Sequence, residues 1–111
     1  MAAAKRRVLL DACLPVDFRH HLPSHDVVTA RYRGWQTYRN GQLLDAAETE
    51  FDVLVTVDSN LVSQQKLAGR RLAIVAVSTT SNRLDDLLPL ADTVDKAAAE
   101  VAAGQFVRVS G

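Results

Sequence analysis

Asp11 and Asp58 are the two residues of this chain whose type and setting point to chemistry. Each closes a short apolar run, Arg7-Val8-Leu9-Leu10 before Asp11 and Val53-Leu54-Val55-Thr56-Val57 before Asp58. Runs rich in Val and Leu of this length suit strands covered on both faces. A carboxylate at the end of such a strand is out of keeping with the run before it. In open parallel sheets ligands bind beyond the carboxyl ends of the strands, where strand order reverses, so two such acids can be neighbours though far apart in sequence. Two carboxylates held close repel unless a cation lies between them. Hard oxygen ligands point to Mg²⁺ or Mn²⁺, which binds through one or two carboxylates with waters and phosphate completing its shell. Such an ion suits phosphodiester hydrolysis. Thr56, Ser59, Asn60 and Asn40 are placed to orient waters or ligands around the two acids. The same residues also suit a plainer role, since Asp58 before Ser59-Asn60 can cap a following helix.

The remaining segments supply a frame for that pair. Pro15 opens a brief helix through Val16, Phe18, Arg19 and Leu22 that Pro23 stops, and His25–Ala30 reads as a second strand. Asn40 stands as a helix cap before the stripe Leu43, Leu44 and Ala47. After Asn60 come a short helix over Leu61–Leu67, a strand over Leu72–Val77 and a polar loop over Ser78–Asn82. Helical spacing resumes from Arg83 to Leu90, bends at Pro89 and continues from Asp92 to Ala103, with Gly104 as its stop; Gln105–Val109 alternates as an edge strand does. Five strands alternating with helices predict an α/β fold, a three-layer α/β/α sandwich with a mainly parallel five-stranded sheet in the order 2-1-3-4-5. In that order the strands ending in Asp11 and Asp58 are adjacent.

The segment Arg31 to Arg39 interleaves Arg31, Arg33 and Arg39 with Tyr32, Trp35 and Tyr38. Arg31, Arg33, Trp35, Tyr38 and Arg39 are the candidate RNA contacts, because guanidinium groups grip phosphate and aromatic rings stack on unpaired bases. The alternative is a loop that tucks Trp35 into the core and leaves its arginines in water. Asp45, Glu48, Glu50, Asp85 and Asp86 read as solvated helix residues, and His20, His21 and His25 as surface histidines beside a short helix.

Composition narrows the partners. The 111 residues carry 13 Lys and Arg against 13 Asp and Glu, so no global field draws the chain to a polyanion and any such contact must be local. The length predicts one domain over 1–111. The single Cys13 excludes an intramolecular disulfide and a cysteine-rich zinc site, and it reads as a small buried residue beside a turn. The apolar run after Lys5-Arg6-Arg7 is too short for a signal peptide, and no window approaches the roughly 20 apolar residues of a membrane span. A cytoplasmic protein without membrane contact is the expectation.

In order, Leu9-Leu10-Asp11, Leu14-Pro15, His25-Asp26-Val27, Gly34-Trp35, Asn40-Gly41 with Leu43-Leu44, the run Phe51 to Thr56 followed by Asp58 and Asn60-Leu61, and Gln64-Gln65 resemble the small PIN-like family of unknown function. The Ala73-Ile74-Val75 strand and the Asn82-Arg83-Leu84 helix start extend the resemblance over nearly the whole chain. It implies a PIN-like sandwich and a Mg²⁺- or Mn²⁺-dependent ribonuclease, with RNA as substrate. Many PIN proteins are toxins of toxin–antitoxin pairs, so an antitoxin protein and a homodimer are implied as partners. Carried over by position, Asp11 matches the acid of the first strand and Asp58 the acid of the Thr-x-Asp motif. Asn40, Asn60 and Ala12 stand where relatives place acids, which thins the cluster and should weaken metal affinity. Two other readings remain open. One is a degenerate PIN-like module that binds RNA or protein without cutting. The other is a phosphoacceptor receiver domain, which would want a second acid beside Asp11 and a lysine after the fifth strand, where the chain has Val107-Arg108-Val109-Ser110-Gly111.

Overall fold

A computed structural model of the protein describes residues 5–38, 40–57, 70–79 and 83–110. Its frame is a five-stranded, all-parallel sheet in the order β2-β1-β3-β4-β5. The strands are β1 (Arg7–Leu10), β2 (Asp26–Thr29), β3 (Val53–Thr56), β4 (Ala73–Ser78) and β5 (Phe106–Ser110). The expected strand order is therefore the observed one, and β1 lies beside β3 with Leu10 in register with Val55.

The apolar runs become strands because both of their faces are covered. Val53, Leu54, Val55 and Thr56 of β3 are all buried, as are the first five residues of β4. Alternate residues feed two separate apolar clusters. Val8, Leu10, Val53, Val55 and Val75 point to one side, where they meet Phe18 and Leu22 and the helical segment around Val94 and Ala98. Leu9, Leu54 and Ile74 point to the other and meet Leu43, Leu44, Ala47 and Phe51. Each fully buried Leu or Phe side chain contributes about 1.5–3 kcal/mol from removal of its surface from water.

The helical elements follow the sequence stripes with some shifts at their ends. The connection from β1 to β2 is a 3₁₀ helix, η1 (Val16–His21), and Pro15 is its extended N-cap (φ −61°, ψ 137°) where the sequence suggested a first-turn residue. Seven residues between Pro15 and Pro23 leave no room for a longer α-helix. Helix α1 (Asn40–Glu48) connects β2 to β3 and buries the predicted Leu43, Leu44 and Ala47. Helix α2 (Leu84–Leu87), the 3₁₀ turn η2 (Leu88–Leu90) around Pro89, and helix α3 (Ala91–Glu100) lead from β4 to β5. The bend at Pro89 is as expected.

Helix α3 ends earlier than the sequence suggested. Val101 is already extended (φ −64°, ψ 135°) and buried, so the helix stops before Ala103, and Gly104 serves the following turn at φ 77°. Arg6 explains the stop. Its Nη1 donates to the carbonyls of Ala98 at 3.2 Å and Val101 at 2.6 Å, satisfying acceptors that a helix end leaves open.

His25 also departs from expectation, being buried rather than at the surface. Its Nδ1 accepts from the Arg6 amide at 3.2 Å and its Nε2 lies 2.9 Å from the Asp95 carbonyl, a pairing that assigns the proton to Nε2. Ser24 Oγ donates to the Asp95 carboxylate at 2.6 Å beside it. The predicted helix over Leu61–Leu67 lies outside the described residues. Among those described, no helix is long and apolar enough to cross a membrane.

Candidate functional site

Strand order reverses between β1 and β3, since the chain proceeds from β1 to β2 on one side and returns to β3 on the other. Asp11 directly follows β1 at that point, and its amide donates to the Val55 carbonyl of β3 at 3.0 Å, so the backbone is still in the sheet when the carboxylate emerges. The Leu14 amide then closes a turn on the Asp11 carbonyl at 3.0 Å. Local backbone bonding thus aims this half-buried side chain beyond the carboxyl ends of the strands, where open parallel sheets bind ligands.

Two donors fix the carboxylate. Oδ1 accepts from the Ala12 amide at 2.7 Å, and Oδ2 accepts from the Thr56 hydroxyl at 2.8 Å. Thr56 is fully buried, so this bond is sheltered from water. An ionised carboxylate has about four acceptor positions, and these bonds occupy two of them. Among the described residues the Cys13 thiol is a further hydrogen-bonding neighbour of this carboxylate. Thr56, expected to orient waters or ligands, here donates its hydroxyl to Asp11 itself.

Cys13 lies against the same pair, its Sγ 3.8 Å from Thr56 Oγ1. Burial pushes its thiol above the usual value of 9.0, and the negative charge of Asp11 pushes it further the same way. The thiol is thus kept protonated beside the carboxylate, which agrees with the inert role suggested by the sequence.

A hollow of about 190 Å³ opens at the same end of the sheet between the later strands. Val57, Ala76, Ser78 and Thr79 line it, and Arg108 of β5 places a guanidinium there. Arg108 was not singled out from the sequence because an exposed arginine on an alternating edge strand carries no signal of its own. Register with Ala76 is what brings it to this end.

Asp58, Ser59 and Asn60 lie outside the described residues, as does Arg39. Asn40 begins α1, but its side chain is likewise outside them. The structure brings the strand bearing Thr56 against Asp11; the pairing of Asp11 with Asp58 is not part of what it describes. Among the described residues, no group of three or more His, Cys, Asp or Glu side chains gathers that could hold a metal ion.

The loop after β2 divides its residues between two tasks. Trp35 stacks on Tyr38 with ring centroids 5.8 Å apart and meets Phe51 edge-on at 6.2 Å, and both packed rings border the core. Arg33 lies over Trp35 at 5.5 Å and over Phe51 at 5.2 Å, and its Nη1 pairs with Glu50 at 2.7 Å. Arg31 and Tyr32 are exposed. Gly34 closes the turn that they open, its amide donating to the Arg31 carbonyl at 3.1 Å, and adopts φ 75°, a conformation that other residues adopt rarely. Glu48, expected to be solvated, is partly buried and binds Arg70 at 3.2 Å and the Arg71 amide at 2.9 Å.

Compared with family models, with curated proteins and with solved structures, the chain finds no match.

Proposed function

We propose that this chain is a PIN-like, Mg²⁺- or Mn²⁺-dependent endoribonuclease, acting in the cytoplasm as the toxin of a toxin–antitoxin pair. The observation that carries the reading is the Asp11 carboxylate at the strand-order reversal, held in one orientation by Thr56 and the Ala12 amide. Its donor set fits a hard cation, since one or two carboxylates suffice when water and phosphate complete the shell. Asp11 and Asp58 would hold the ion. When bound, it would supply an activated water and neutralise charge developing on the phosphodiester.

The chain's own residues would do the positioning. Thr56 and the Ala12 amide hold the Asp11 carboxylate in one orientation, which lowers the cost of ordering it around a ligand. Arg108, with Ser78 and Thr79 in the neighbouring hollow, offers a cation and hydroxyls to a phosphate. Arg31, and the aromatic loop that it opens, would guide single-stranded RNA to the site. An antitoxin protein and a second copy of the chain are the proposed partners.

A second reading, a PIN-like module that binds RNA or protein without cleaving, is favoured by Asn40, Asn60 and Ala12, which stand where the resemblance would place acids. Calorimetric titration with Mn²⁺ followed by a single-stranded RNA cleavage assay separates the two. Binding and cleavage that both disappear in Asp58→Ala and Asp11→Asn are the expected result. RNA binding without cleavage, unchanged by Mn²⁺, would overturn the nuclease in favour of the module.

A further inference from the structure

Beside the edge strand β2 lies a groove of about 590 Å³ between η1 and the turn that follows β2. Val27 and Val28 of β2 line it, together with Val16 and Arg19 of η1 and with Arg31 and Tyr32 of the turn. The volume is in the range of about 300–1,000 Å³ typical of ligand sites. Tyr32 is 83% exposed and Val16 38%, so two of the four large hydrophobic side chains exposed among the described residues stand on this one groove. A ring so exposed beside an apolar lining offers a stacking surface.

The charge in the groove is of one sign. Arg19 has a buried Nη1 with no hydrogen-bond partner, the one such side-chain atom among the described residues. A buried donor on a charged group without an acceptor is costly, so this arginine is short of an anion. Arg31 lines the same groove, and among the described residues no acidic side chain does. Arg33 is different, because Glu50 already holds it.

The groove is close to the candidate site. Thr29 is in register with Leu10, and the Ala30 amide donates to the Leu10 carbonyl at 2.8 Å. Arg31 and Tyr32 therefore leave the sheet one strand away from Asp11, and strands in a sheet are about 4.8 Å apart. An added peptide strand fits this edge poorly. The Asp26 and Ala30 amides already bond to β1, so alternation turns only Val27 and Thr29 outward, and the Thr29 carbonyl is taken by the Arg33 amide at 3.3 Å.

We infer that this groove binds one nucleotide of a single-stranded RNA flanking the Asp11 site, with the base stacked on Tyr32 and its phosphate between Arg19 and Arg31. A flat apolar body joined to an anion is the chemistry that the groove presents, and the identification as RNA rests on the ribonuclease reading above. Arg19 and Tyr32 thereby join the substrate-binding surface.

The test is fluorescence anisotropy of a labelled single-stranded oligoribonucleotide in EDTA, with wild type, Tyr32→Ala, Arg31→Ala and Arg19→Met. Tyr32→Ala should weaken binding roughly tenfold or more, the usual range for a lost base stack. Arg31→Ala should lower the slope of log affinity against log salt by about 0.7, the loss of one single-strand phosphate contact. Tyr32 and Arg31 are exposed, so these two variants remain informative if Arg19→Met does not fold. Wild-type affinity and salt slope in both would overturn the groove; if RNA cleavage still required Asp11 and Asp58, the nuclease reading would survive that loss. Weakened binding in both, with a wild type that never cleaves, would uphold the groove and overturn the nuclease. A wild type that binds no oligoribonucleotide would overturn the groove outright.

Discussion

The Thr56 hydroxyl donates to Asp11 Oδ2 at 2.8 Å across the boundary between β3 and β1. This bond ties the carboxylate to the neighbouring strand from a position without water. Thr56→Val keeps the shape of the side chain and removes the donor. We expect a loss of about 2 kcal/mol in urea unfolding, the size of a sheltered hydrogen bond to a charged group. If RNA cleavage is present in the wild type, it should fall with it, because Asp11 would lose a fixed orientation. Unchanged unfolding would show that the bond contributes nothing to the folded state.

Cys13 makes the site sensitive to alkaline pH. Its thiol is raised above 9.0 by burial first and by Asp11 second. The folded form then holds its proton more tightly than the unfolded form, so the stabilisation is complete below 9.0 and is lost as pH rises through the higher folded value. Alkylation by iodoacetamide should therefore show a midpoint above 9.0, and Asp11→Asn should move that midpoint down. A midpoint at or below 9.0 in the wild type would contradict the burial.

His25 joins the Arg6 amide to the Asp95 carbonyl from a buried position. His25→Leu leaves both backbone groups without their partner and should cost about 3 kcal/mol in chemical denaturation. His25→Gln, which can restore one of the bonds, should recover part of the loss. Equal stability of the two variants would mean that packing rather than hydrogen bonding sets the cost.

Arg6 closes the end of α3 through the carbonyls of Ala98 and Val101. Arg6→Met retains an apolar stem and should cost about 1–2 kcal/mol. Hydrogen exchange should localise the change, with amides in the last turn of α3 exchanging faster while those of β3 are unaffected. A uniform increase across the sheet would show that the contact supports the whole fold instead.

The sheet was legible because β3 and β4 are continuous apolar runs, which only a doubly covered strand explains, and the alternation of elements left few orders in which they could pair. Asp11 was legible for the same reason, as a charge where the run should have continued. Arg6 and His25 were not. Arg6 reads as part of a basic tail, and its partners are 92 and 95 positions away; His25 reads as a polar turn residue, and Asp95 is 70 positions away. No local pattern encodes such pairs. Trp35 borders the core, as the alternative reading of its loop expected, whereas the pairing of Arg33 with Glu50 is a contact that the sequence does not display.

The bond from Arg6 to Val101 also bears on how the chain is made. The residue before β1 is made 95 positions ahead of the helix end that it closes. At about 5–20 residues per second, roughly 5–20 s of synthesis separate the two. For that interval Val8 and Leu10 lack the part of their cover that Val94, Ala98 and Val101 supply, while the cluster around Leu9 is complete once Ala76 has been made. One face of the sheet is thus covered later in synthesis than the other.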